Sequence, residues 1–152
     1  MTTSFLVTPL TASDHVQWSE LWKGYLDFYQ ASLPQTVWDR TWSRIKEQSG
    51  PVYGLGLRRS LGAPLIGITH YLFHPSAWSE NDACYLQDLF VLPTERGNGA
   101  GRALIEAVKV KAQERNCFRL YWTTKQDNAQ ARLLYEKMAI FHGFIRYDMA
   151  LT

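Results

Sequence analysis

Residues 85–105 read YLQDLFVLPTERGNGAGRALI. The stretch passes from an apolar strand (Leu89, Phe90, Val91) through Pro93 into a short loop, Arg96-Gly97-Asn98-Gly99-Ala100-Gly101, and a helix opens at Arg102. Glycines in such a loop take up positive φ without strain and let the backbone come close to a ligand. The first amides of a helix have no intrahelical partner, and the helix dipole is positive at that end. Strand, glycine loop and helix N-terminus in that order predict a phosphate cradle made of main chain.

Spacing excludes two phosphate loops. A P-loop needs Gly-Lys-Ser/Thr, and here Gly101 is followed by Arg102-Ala103. A dinucleotide loop needs G-x-G-x-x-G, but the third position is Arg102 counted from Gly97 and Leu104 counted from Gly99. What remains, R-x-x-G-x-G at Arg96, Gly99 and Gly101, resembles the acyl-CoA loop of the GCN5-related N-acetyltransferases, the GNAT superfamily. Residues 123–144, TTKQDNAQARLLYEKMAIFHGF, resemble that family's later motif: an asparagine (Asn128) opens a helix that carries a tyrosine (Tyr135) and ends before Gly143-Phe144. The pattern LQDLFV…RGxGxGRALI and the closing GFIRY are similar to the small histone- and polyamine-acetylating branch. The N-terminal third resembles the family in pattern more than in residues.

At 152 residues, the length prior gives a single domain over 1–152. Hydrophobic content of 46% and charged content of 20% are globular values. A net charge of +2 is too weak to argue for nucleic acid. No apolar run approaches the ~20 residues that span a bilayer, so no membrane partner is expected. The opening MTTSFLVTPLT has no basic segment and no long apolar one, so no signal peptide is expected. Cys84 and Cys117 are too few for a disulfide framework or a zinc site. They read as reduced, packed thiols of a cytoplasmic protein, and no metal is expected.

Periodicity orders the rest. Ser4 to Val7 predicts a first strand, and Thr11-x-x-Asp14 a capping box. Trp18, Trp22, Tyr25 and Tyr29 recur at helical spacing until Pro34; Trp38, Trp42 and Ile45 mark a second helix. Val52–Leu57 and Leu65–Phe73 predict a hairpin, with a loop over 74–82 before a strand over 84–92. After the glycine-loop helix come a strand over 118–123, a helix over 128–141 closed by Gly143 as a left-handed cap, and a final strand over 144–151. The fold class is α/β mixed. The resemblance implies a mostly antiparallel sheet of six to seven strands flanked by four helices, with a splayed parallel pair at the glycine-loop strand.

The resemblance implies acetyl-CoA as cofactor. Its diphosphate is expected on Arg96, Gly97, Asn98, Gly99, Ala100, Gly101 and Arg102, and its amide arm on the backbone edge of Leu89, Phe90 and Val91, as an added strand. Asn128 is read either as a contact to that arm or as a helix N-cap. The reaction implied is direct attack of an amine on the thioester, with a backbone N–H near Leu89 as oxyanion donor and Tyr135, protonated at neutral pH, as general acid. Tyr135 also reads as a core tyrosine beside Ala131 and Met138. The general base is open. Related enzymes often carry glutamate where Gln87 stands, and the strand positions facing the acceptor are Tyr85 and Gln87, which are read as a water-mediated proton relay. Strand alternation turns Asp88 to the opposite face.

Trp22, Tyr25, Tyr29 and Trp38 are expected either to line the acceptor pocket, since aromatic faces suit cations, or to build the core. Asp27, Glu80 and Asp82 read as solvated acids or as selectors of a cationic amine. His70 and His74 read as structural. The expected acceptor is a small primary amine, polyamine- or amino-acid-like. The alternatives are a protein lysine or N-terminus, or a non-catalytic acyl-CoA sensor. Ile145, Tyr147, Met149 and Leu151 share one strand face, and in the resembling branch such a strand pairs across a homodimer.

Overall fold

Nine pairs of Cα register join the two longest strands of the sheet into one hairpin, with shifts between His70 and Tyr71 and between His74 and Ser76; the first of these shapes the site. The structure, a computed structural model, describes residues 4–152. The chain forms two compact units, the first ending at Trp122 and the second spanning Thr123–Thr152.

In the first unit the elements run β1 (Leu6–Pro9), α1 (His15–Phe28), α2 (Gln35–Lys46), β2 (Tyr53–Arg58), β3 (Gly67–Ser76), β4 (Ser79–Val91), α3 (Ala100–Glu114) and β5 (Arg119–Tyr121), with short 3-10 turns at Ala12–Asp14 and Pro93–Glu95. The strands lie in the order β1-β2-β3-β4-β5. The first three pairings are antiparallel and β4–β5 is parallel. Among the described residues the sheet therefore has five strands, not the six to seven expected. The first strand runs two residues past the expected Val7 and includes Pro9, which an edge strand tolerates because the missing N–H faces away from the ladder. The expected loop over 74–82 is mostly strand: β3 and β4 continue to a Ser76–Ser79 pair.

The two faces of the sheet are packed by different helices. Leu10, Trp18, Leu21, Trp22, Leu26, Trp42 and Ile45 cover one face together with Ile68 and Phe90. Leu104 and Ala100 of α3 cover the other, against Leu57, Ile66 and Val91. The alternation of Phe90 and Val91 between these clusters is the period-2 signature of a strand buried on both sides. Gly24 sets how closely α1 approaches: a Cβ there would lie 2.8 Å from the Phe90 ring.

The start of α1 is anchored by its capping sequence. The Thr11 N–H donates to Asp14 Oδ2 at 2.8 Å, and Asp14, itself buried, is ion-paired with Arg58 of β2. This satisfies a carboxylate that would otherwise be costly to bury.

The second unit holds α4 (Ala129–Met138). Asn128 occupies the N-cap position, and its side-chain amide donates to Thr124 Oγ1 at 3.0 Å, not to the helix amides. The helix stops at Met138, where Ala139 turns extended, so Gly143, although at φ 85°, does not cap it as expected. Residues 144–151, expected as a strand, have no regular secondary structure. Phe144, Ile145, Tyr147, Met149 and Leu151 are 72 to 92% exposed. A strand needs a neighbour to satisfy its ladder, and apolar alternation alone does not supply one.

Candidate active site

The strand, glycine loop and helix follow one another in the expected order, but α3 opens at Ala100, two residues before the expected Arg102. Gly97 and Gly99 lie at φ 86° and 87°, and a Cβ at either would meet nothing within 4 Å. Left-handed backbone, not crowding, therefore requires glycine there. The first helical bond of α3 runs from Ala103 N–H to Gly99 C=O at 3.0 Å, so the N–H groups of Ala100, Gly101 and Arg102 precede the ladder and are available to an anion. Asn98 and Arg102 are exposed beside them. This donor set fits a diphosphate. Arg96, expected to contribute charge, instead folds back: its Nε donates to the Val91 carbonyl at 3.0 Å and its guanidinium lies over the rings of Phe90 (5.5 Å) and Phe28 (5.9 Å).

The strand edge is set by how far β5 reaches. β4 pairs with β5 only at Ala83, Cys84 and Tyr85. Beyond Tyr85 the register with β5 ends, while pairing with β3 continues to Val91. Leu89, Phe90 and Val91 therefore lie past the point where the parallel pair parts.

Where β4 leaves β5 it also bulges. His70 pairs with Asp88 and Tyr71 with Leu86, so Gln87 is the extra residue. A bulge resets the alternation of everything beyond it. Asp88 is thereby carried to the α1 face, against the expectation that alternation hides it. There Asp88 Oδ1 accepts the Tyr25 hydroxyl at 2.7 Å and Oδ2 meets His70 Nδ1 at 3.0 Å. Trp18 Nε1–H donates to His70 Nε2 at 3.0 Å. On β3, the Thr69 hydroxyl donates to the Asp88 carbonyl at 2.7 Å and fastens the bulge. Gln87 is exposed, and Tyr85 stacks on Tyr121 at 4.9 Å.

The aromatic stripe divides between core and surface. Trp22 is buried and Trp38 packs against the same core cluster. Tyr25 stacks on Trp22 at 5.0 Å, is half-buried, and meets Tyr29 at 5.0 Å. Burial, with the Asp88 charge second, raises the Tyr25 phenol above its usual value of 10.0, and the same two causes raise Tyr29. Among the described residues the Trp22 indole N–H is the one buried side-chain donor without a partner.

Both cysteines are free thiols. Burial pushes the Cys84 thiol up from 9.0 to about 12, and burial also raises Cys117. A thiol so held is protonated at neutral pH and is a poor nucleophile. His74 is tied between the Pro75 carbonyl (2.8 Å) and the Tyr121 hydroxyl (2.7 Å), a structural role as expected. Asp27 is paired with Lys23 at 2.8 Å on the surface, and Asp82 lies 3.7 Å from Arg115. In the second unit Tyr135 is a half-buried residue of α4. Sequence reasoning missed Asp88, Tyr25 and His70 as a connected set. The only signal was the Asp-containing apolar strand, and period-2 counting misdirected it.

Among known proteins, the family model described as Acetyltransferase (GNAT) family matches residues 18–140. The D-amino-acid N-acetyltransferase HPA3 of Saccharomyces cerevisiae is 33% identical over 134 residues, 88% of this chain and 83% of that protein. The thialysine N-epsilon-acetyltransferase of Mus musculus is 31% identical over 77 residues, 51% of this chain and 45% of that one. The structure of AAC(6')-Iy in complex with the bisubstrate analog CoA-S-monomethyl-acetylneamine is similar in fold, with a TM-score of 0.82 at 14% identity, covering 98% of this chain and 99% of that one.

Proposed function

Since this chain belongs to the acetyltransferase (GNAT) family, we propose that it moves an acetyl group from acetyl-CoA to the primary amine of a small, amino-acid-like molecule by direct attack. The observation that carries the reading is the β4–loop–α3 segment: a strand freed of its parallel neighbour beyond Tyr85 leads into left-handed glycines and unpaired helix amides. When bound, acetyl-CoA supplies the thioester carbonyl that an amine attacks. The amides of Ala100, Gly101 and Arg102 hold its diphosphate, and the backbone edge of Leu89, Phe90 and Val91 holds its amide arm. An N–H at Leu89 stabilises the charge that develops on the carbonyl oxygen. Tyr135, by its place in the Asn128-x₆-Tyr135 motif, donates the proton to the leaving thiolate. Neither thiol takes part, because both are held protonated.

The acceptor class rests on the relatives, which are named for D-amino acids and thialysine. Both are small amino acids that carry an ammonium group. Thiol release from acetyl-CoA, measured against D-amino acids, thialysine, polyamines and basic peptides, tests this. Turnover confined to the small amines is expected. Turnover confined to peptides would assign a protein acceptor, and binding of acetyl-CoA without any turnover would leave a sensor.

The exposed residues Phe144, Ile145, Tyr147, Met149 and Leu151 support a homodimer, since apolar residues clustered on one exposed segment mark an interaction surface. Sedimentation equilibrium, with and without residues 144–152, checks it. Two free thiols and the lack, among the described residues, of a helix long and apolar enough to cross a membrane accord with a cytoplasmic enzyme.

A further inference from the structure

A buried line of hydrogen bonds ends at the α1 side of the bulge, and its protons have one arrangement. An indole N–H is only a donor. Trp18 therefore fixes His70 Nε2 as an acceptor. The His70 proton is then on Nδ1 and is donated to Asp88 Oδ2. Asp88 is the anion of the line, and its other oxygen accepts the Tyr25 O–H. Trp18 and His70 are almost wholly buried, at 0% and 1% exposure, so the inner end is closed to water. Tyr25 is the outer end of the line, and both it and Asp88 are half-buried. With its own proton committed inward, the phenol oxygen presents lone pairs to whatever lies beside β4 at the bulge.

We propose that Tyr25 takes the proton from the acceptor ammonium while handing its own proton to Asp88, with His70 and Trp18 holding Asp88 in place. An N–H bond of the ammonium breaks as a new O–H forms on Tyr25; the original Tyr25 O–H breaks as an O–H forms on Asp88. The amine is left neutral with its lone pair available, Tyr25 is again a phenol and Asp88 a carboxylic acid. After the product leaves, the proton returns by the same path to water. Tyr25 is the catalytic residue, and Asp88 and His70 are positioning residues. The inference rests on the proposed acetyl transfer and supplies the base that Gln87, an exposed amide, cannot be.

The test compares the full chain with Tyr25→Phe, Asp88→Asn and the double variant. D-Alanine is the ammonium acceptor, and aminooxyacetate is an acceptor already unprotonated at neutral pH. Each single change is expected to lower kcat on D-alanine by about 100- to 10,000-fold. The double variant should be no worse than the poorer single one, because members of one relay act as a unit. Acetyl-CoA affinity by calorimetry and KM for D-alanine should stay within about threefold. On aminooxyacetate the loss should shrink at least about tenfold, because no ammonium proton is to be removed. Single-variant kcat near that of the parent, losses that multiply, or an equal loss on both acceptors would overturn the relay and leave acetyl transfer standing. If Asp88→Asn fails to fold, Tyr25→Phe on the two acceptors decides alone. A parent protein that turns over no amine at all removes the acetyl-transfer reading, and the relay with it.

Discussion

On the α3 face of the sheet, Leu57, Ile66, Val91, Ala100 and Leu104 form an aliphatic cluster. On the α1 face, the same strands meet five helical aromatics, a buried histidine and a carboxylate. The α3 face needs only volume and shape to position a helix whose N-terminal backbone is the proposed diphosphate site. The α1 face must hold side-chain protons in place, so it spends hydrogen bonds inside a core, where an unpaired polar group is costly. Substitutions should therefore act on the two faces by different rules.

The largest effect on stability is expected from Leu104→Ala, which empties a fully buried site on the α3 face and should cost about 2–5 kcal/mol in chemical unfolding. Leu104→Met should cost less than about 1.5 kcal/mol. An equal cost for both would mean that this face, too, depends on more than volume.

The α1 face should discriminate between two buried tryptophans. Trp18→Phe strips the donor from His70 Nε2, whereas Trp22→Phe removes an indole N–H that has no partner. The first should cost about 1–3 kcal/mol more than the second, the penalty of leaving a buried acceptor unsatisfied. Similar melting temperatures for the two variants would erase the contrast between the faces.

Gly24→Ala places a methyl group 2.8 Å from the Phe90 ring and should cost about 1–3 kcal/mol by overpacking. Because Tyr25 follows in the chain, turnover should fall as well, which kcat at fixed acetyl-CoA would show. Gly99→Ala meets no neighbour but must hold φ at 87°, at about 1–2 kcal/mol. Its effect should appear in acetyl-CoA affinity instead.

The smallest effect is electrostatic and common to both faces. Tyr25 on one face and Cys84 in the first unit's β4 bind their protons more tightly folded than unfolded. With pKa raised on folding, their contribution is complete below the unfolded value and is lost as pH rises through the folded one. For Cys84 that window runs from 9.0 to about 12. Stability should fall across it, and Cys84→Ala should flatten the slope of denaturation midpoint against pH.

Local chemistry made much of this readable in advance. The glycine loop and α3 follow from residues 96–102 alone, because left-handed backbone and free helix amides are properties of a few consecutive residues. The α1 stripe, the Thr11–Asp14 turn and the β2–β3 hairpin follow from period and capping in the same way. The final strand did not form, since a strand exists only by virtue of a partner that its own residues do not name. The aromatic stripe carried two outcomes in one pattern: Trp22 is buried in the cluster, whereas Tyr25 packs against the same cluster and stays half-buried.

By itself the sequence determined the left-handed glycine loop at Gly97 and Gly99, the family and the absence of a carboxylate at Gln87. The tertiary structure alone decided that Asp88 turns toward Tyr25 and His70. That turn depends on one unpaired residue in the β3–β4 register, and register is settled by long-range pairing and burial on both faces of the sheet, which no local pattern encodes.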